Sequence, residues 1–224
     1  MGKSLTMRII DLHTHQEFDP SIIQIRNIFA QDLSDQELDF PFSAGLHPWD
    51  LERPDKEQCL SSMEAILSNK NLLAIGECGL DRIISTDFAV QLYFFKEQIK
   101  IAENSCKPLI IHCVRAYSDL IQLKKSMKTR IPWIIHGYNG NSETTTALIR
   151  HDFYFSVGQH LIADTKKMEV LKQIPPDRLF LETDISDLPI AEVYNKASKV
   201  LNIDNEALNQ IIYENFTRIF GYID

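Results

Sequence analysis

The chain has 224 residues, 44% of them hydrophobic and 24% charged, with a formal net charge of −8. This is the balance of a globular protein of one large or two small domains, and it excludes a disordered or fibrous chain. The acidic excess argues against a broad basic nucleic-acid-binding face, and no apolar run approaches the ~18 residues a membrane span needs.

The N-terminal stretch MGKSLTMRII lacks the apolar segment of a secretory signal. Gly2 and Thr6 formally fit a myristoylation pattern, but Met7 directly before the first apolar run is an equally good start, and the pattern is set aside. Buried strands are predicted at Met7 to Leu12, Ile22 to Phe29, Phe42 to Leu46 and Leu72 to Gly76, then at Leu109 to Ile111, Trp133 to Ile135, Phe153 to Val157 and Leu179 to Leu181. Between them, Lys56 to Leu67 places Cys59, Leu60, Met63, Ile66 and Leu67 on one side, and Val90 to Ala102 aligns Leu92, Phe95, Ile99 and Ala102. Two helices close the chain, Glu192 to Leu201 and Asn205 to Phe220, the latter capped by Asp204 or Asn205. Strands alternating with helices indicate parallel β/α units, and eight of them predict a TIM-type (β/α)8 barrel of the α/β class, with an open doubly wound sheet as the alternative. QDLSDQELDFP, after the second strand, is too short for a long helix, so the second β/α unit is expected to be shortened. No linker or repeat divides the chain, and residues 1–224 are expected to form a single domain.

The four cysteines, Cys59, Cys78, Cys106 and Cys113, have no paired spacing, which predicts reduced thiols and a cytoplasmic protein. Cys78 and Cys113 read as small packing side chains, because neighbours on a strand face opposite sides.

Polar residues recur where the apolar runs end. In DLHTH, residues i and i+2 of a strand share a face, so Asp11, His13 and His15 are expected to project together. His47 follows SAGL, Glu77 follows LLAIG, His112 follows PLII, His136 follows IPWII and Asp184 follows LFLET. In a parallel barrel these strand ends converge on the face that carries active sites. Imidazole with carboxylate suits first-row divalent ions, and the set is large enough for two if Glu77 bridges. Lowering the pKa of a water from ~15.7 to about 7 makes hydroxide more accessible by roughly 12 kcal/mol, a large part of a hydrolase's task.

DLHTH, GLHPW, AIGECGLD, IIHC, IIHG and LETD, in this order, resemble the signature of the TatD family of metal-dependent hydrolases in the amidohydrolase superfamily, from about residue 8 to Phe220. The resemblance implies a TIM-type barrel with one or two divalent metal ions (zinc, manganese, magnesium or similar) and a phosphodiesterase or deoxyribonuclease activity. By position it makes His13 and His15 the first-strand metal ligands, Glu77 the bridging carboxylate and His112 and His136 the second ion's ligands. Asp184 becomes the last-strand aspartate that binds or orients the attacking water and takes its proton. The chain departs from the family pattern in a short stretch before GLHPW, in a short ISDLPIAEVY segment after ETD, and in Val114 where relatives carry Arg, with Arg115 next.

Substrate contacts are expected from His47, which a turn fixed by Pro48 also accommodates, from Arg82 and Arg115, whose guanidinium groups fork onto phosphate, and from Tyr138 with Asn139. Asp81 and Asp11 are candidates to orient ligand imidazoles, and each would serve equally as a backbone cap. His160 falls at the seventh strand's end near the site, and His151 at its far end reads as structural. The expected substrate is a DNA end or small phosphodiester, with neither a membrane nor an obligate protein partner. The alternatives are an amidohydrolase-type esterase, lactonase or amidase on the same metals, and a non-enzymatic protein keeping them for stability.

Overall fold

Short apolar runs become strands because each is buried on both faces between an inner layer of side chains and an outer layer of helices. The computed structural model describes residues 8–35, 38–162 and 165–221. In chain order the strands are β1 (Ile10–Thr14), β2 (Ile23–Phe29), β3 (Phe42–Gly45), β4 (Leu72–Asp81), β5 (Leu109–Val114), β6 (Trp133–Ile135), β7 (Phe153–Val157) and β8 (Leu179–Leu181). They form one eight-stranded sheet in that order, every neighbouring pair parallel. The ring closes by a single parallel bridge, Thr14 to Asp184, with Asp184 N–H donating to His13 O (2.9 Å) and His15 N–H to Asp184 O (3.1 Å). The barrel thus holds its eight strands as expected.

The helices are α1 (Lys56–Ala65), α2 (Phe88–Asn104), α3 (Tyr117–Met127), α4 (Ser142–Arg150), α5 (Gln159–Ile162), α6 (Thr165–Leu171), α7 (Ile190–Leu201) and α8 (Asn205–Phe220). The expected shortening begins one unit early: no helix joins β1 to β2, and a 3-10 helix at Ala30–Asp35 replaces the one after β2. Met7 and the Gly2 and Thr6 pattern lie outside the described residues. Asp87, Asn141 and Asp204 cap α2, α4 and α8 by accepting from backbone N–H groups of the first turn.

Two terminal helices brace the seam between β8 and β1. Tyr194 of α7 donates its hydroxyl to Ile10 O (3.0 Å), and Asn215 of α8 donates to Pro176 O (2.7 Å) and Leu179 O (2.9 Å). The inner and outer layers share one apolar core that includes Phe42, Trp133, Phe153, Phe155 and Phe180, all fully buried. Each such aromatic stabilises the fold by roughly 1.5–3 kcal/mol. Among the described residues no helix is long and apolar enough to cross a membrane.

β4 runs past its predicted end and carries Glu77 and Asp81 inside the ladder. Its approach to β5 requires Gly79, at φ 150°, where an added Cβ would stand 2.0 Å from His112 O. Gly79→Ala is therefore expected to lower unfolding free energy by at least about 2 kcal/mol in urea titration. An unchanged midpoint would show that β4 and β5 can separate without loss.

Candidate metal centre

The polar strand ends meet around one carboxylate. Glu77 Oε1 lies 2.7 Å from His136 Nε2, 3.0 Å from His112 Nδ1 and 3.0 Å from His47 Nε2. Its Oε2 lies 3.4 Å from His13 Nε2 and 3.6 Å from His15 Nε2. Asp184 Oδ1 faces the same two imidazoles at 3.6 Å each. The two carboxylate oxygens thus look toward two different groups of donors. Side chains able to hold an ion cluster as His13, His15 and Asp184, as His13, Glu77 and His136, and as His47, Glu77 and His112.

Local structure fixes each member. Glu77 N–H donates to Asn27 Oδ1 (2.8 Å), which also accepts from Ser43, tying β4 to β2 and β3. Two buried glutamines seven residues apart on α2 hold two strand ends. Gln98 bonds both backbone groups of Leu46, just before His47, and Gln91 bonds both backbone groups of Asp81. Asp81 Oδ2 accepts from Trp49 Nε1 (2.9 Å) and lies 3.2 Å from His112 Nε2, while its Oδ1 accepts from Ile83 N–H (3.0 Å), so it both faces that ring and caps the backbone after β4. His47 Nδ1 accepts from Trp49 N–H (3.2 Å), which leaves the proton of a neutral ring on Nε2, facing Glu77.

Asp11 does not join the histidines. The register of β1 shifts between Asp11 and Thr14, and strict alternation is lost. Asp11 instead accepts from Thr183 N–H (2.9 Å) and Thr183 Oγ1 (2.6 Å), while Thr183 also bonds Thr14. That clamp holds the turn before Asp184, whose φ of 55° lies in the left-handed region. Burial pushes the Asp11 carboxyl up to about 7.

Burial alone would raise the Glu77 pKa, but the facing imidazoles, His136 first, outweigh it and hold the carboxyl well below its usual range. Burial likewise disfavours charge on His136, yet Glu77 and Glu182 together raise its pKa well above an ordinary imidazole. Burial lowers that of His47. Both ring nitrogens of His13, Nδ1 of His136 and Oε2 of Glu182 are buried without a hydrogen-bond partner. Buried donors left unpaired are costly unless something binds them. Unpaired imidazole nitrogens beside a carboxylate that draws positive charge fit a divalent cation.

Glu182, buried and accepting from Gly137 N–H (2.5 Å) with Oε1 3.6 Å from His136 Nδ1, was not singled out in the sequence. A charged residue directly after the apolar triplet of β8 was the available signal. Tyr138 reaches the rim but is buried, its hydroxyl 2.7 Å from Thr145 Oγ1 and its pKa pushed up by burial to about 12; it packs rather than presents a donor. The structure does not bring Arg82 or Arg115 to the cluster. Arg82 forks onto Asp119 (2.8 and 3.0 Å) over the ring of Phe88, and Arg115 is exposed beside a separate surface cavity with Asn139. Both follow their strands closely in sequence, but neither lines the cavity around Glu77. His160 lines the central cavity, and His151 ends α4 before β7. No cysteine belongs to a cluster among the described residues; all four are free, and Cys78 and Cys113 are buried.

The cluster opens into a cavity of about 680 Å³. A second of about 620 Å³ adjoins it along the segment after β8, sharing Gly137, His160, Asp184 and Ile185.

Residues 30–221 match the family model described as TatD related DNase. That span begins after β1, so DLHTH is placed by geometry alone. The chain is 32% identical over 148 residues to a 3′-5′ ssDNA/RNA exonuclease TatD of Edwardsiella piscicida, covering 63% of this chain and 56% of that protein. The match thus spans little more than half the length of that relative. An uncharacterized metal-dependent hydrolase of Buchnera aphidicola is 28% identical over 203 residues, 80% of this chain and 76% of that one. Among solved structures, the TatD homolog YJJV of Escherichia coli K12 superposes with a TM-score of 0.81 at 21% identity, over 96% of this chain and 99% of its own.

An ion at a hundred times its Kd stabilises the folded state by about 2.7 kcal/mol. Adding Zn²⁺ or Mn²⁺ to chelator-treated protein is expected to raise the melting temperature, and Glu77→Ala to remove most of that rise. A melting temperature indifferent to both ions would contradict the metal centre.

Proposed function

The chain belongs to the TatD related DNase family, and from that premise we propose that it is a divalent-metal-dependent phosphodiesterase acting on a DNA end or a small phosphodiester. The observation that carries the reading is the two-sided Glu77, with His112 and His136 at one carboxylate oxygen and His13, His15 and the nearby Asp184 at the other. His13, His15 and Asp184 would hold one ion and His112 and His136 a second, with Glu77 shared. Bound divalent ions lower the pKa of water toward 7 and offset charge on phosphoryl oxygens.

The chain's own groups do the rest. Asp184, its side chain 30% exposed, is the ligand carboxylate open to the cavity, and it orients the attacking water and accepts its proton. His47 stays neutral because burial lowers its pKa, and its Nε2–H donates to Glu77 Oε1, holding that carboxylate oxygen in place beside His112 and His136. Asp81 and Glu182 keep the His112 and His136 rings turned toward Glu77. The ester, lactone or amide alternative has no observation of its own, whereas the Edwardsiella relative bears a nuclease name. We place the activity in the cytoplasm, where the four free thiols would stay reduced.

Asp184→Asn is expected to lower kcat on bis(p-nitrophenyl) phosphate and on a short single-stranded DNA by about a hundredfold to ten-thousandfold. Its melting temperature in the absence of metal should match the wild type. Equal rates for variant and wild type, or rates that survive chelation, would overturn the proposal.

A further inference from the structure

We propose that Trp49 forms a nucleobase-stacking wall beside the metal centre, so that a substrate is held by the base of its terminal nucleotide rather than by cations along its backbone. This rests on the phosphodiesterase reading above. Trp49 lies in the 3-10 turn Pro48–Asp50 that follows β3, and it is 63% exposed, whereas Trp133 is fully buried. The exposed ring is nevertheless fixed. Its Nε1 donates to the buried Asp81 (2.9 Å), its backbone N–H donates to His47 (3.2 Å), and it stands at 90° to the His47 ring with centroids 4.9 Å apart. An indole already ordered in this way gives up little entropy when a ligand lies against it.

The position suits a base attached to the reacting phosphate. Trp49 is 5.8 Å, ring to ring, from His112, whose Nδ1 is 3.0 Å from Glu77. A ring stacked on the indole therefore sits within one nucleotide's length of the ligand cluster. Ile185, 72% exposed, and Phe29 line the same cavity. Large apolar side chains left open around a charged cluster signal a ligand with an apolar face.

Charge points the same way. Among the described residues, the lining of this cavity includes Asp50 and Asp184 and no Lys or Arg, and Arg82 is committed to Asp119. Phosphate tracking along a long strand depends on such cations. Base stacking does not, and it supplies affinity from any of the four bases.

The test uses a thymidine dinucleotide and its two forms in which one base is replaced by hydrogen. For wild-type protein loaded with Mn²⁺, removing the terminal base at one of the two positions is expected to lower kcat/KM about tenfold. Trp49→Phe, which keeps a stacking face, should retain that ratio, and Trp49→Ala should bring it close to one. Taking the ratio within each variant cancels any disturbance passed through Asp81 to His112. A wild-type ratio near one, or an undiminished ratio in Trp49→Ala, overturns the stacking wall and leaves the phosphodiesterase standing. Failure of wild-type protein to hydrolyse any of the three overturns the phosphodiesterase reading and the wall with it.

Discussion

A carboxylate buried among five imidazoles is the constraint on which the rest of the structure depends. Glu77 has His136, His112 and His47 about one oxygen and His13 and His15 about the other. Burying such a group is costly unless its charge is met. Four strands, β1, β3, β5 and β6, deliver the imidazoles from within the strand or just past its end, and β4 extends to ten residues to deliver Glu77 and Asp81. Polar residues that pack poorly elsewhere in a barrel are collected where their charges answer one another. Backbone support is correspondingly dense: Asn27 holds the Glu77 amide, and Gln91 and Gln98 hold Asp81 and the approach to His47.

The same local chemistry closes the barrel. β1 offers His13 and His15 as side chains, while their backbone carbonyl and amide bond Asp184. Asp11 reaches past the seam to Thr183 and holds the turn that keeps Asp184 at positive φ. Closure and the site therefore rest on the same residues. With β8 only three residues long and joined to β1 by one bridge, Tyr194 and Asn215 supply the outer bracing the ladder lacks.

Much of this was legible in the sequence because burial on both faces enriches a strand in apolar residues, and all eight strands lie in apolar-rich stretches, although Gln24, Arg26 and Asn27 interrupt β2. Their ends were less so: β4 and β5 continue through Glu77 and His112, since a polar residue facing the barrel centre ends the apolar run but not the hydrogen-bond ladder. The α2 stripe of Phe95, Ile99 and Ala102 was readable, whereas Gln91 and Gln98 on the same buried face were not, because their burial depends on backbone groups of distant strands. Asp11 was misplaced because alternation assumes an unshifted register. Arg82 and Arg115 were expected at the site from their place just past strand ends and the fit of guanidinium to phosphate, but a pairing such as Arg82 with Asp119, 37 residues away, leaves no local trace.

Anomalous scattering from crystals grown with Mn²⁺ tests the central claim most directly. The account predicts two peaks flanking Glu77, one in contact with His13, His15 and Asp184 and the other with His112 and His136. A single peak away from Glu77, or full manganese occupancy elsewhere with none beside this carboxylate, would contradict it.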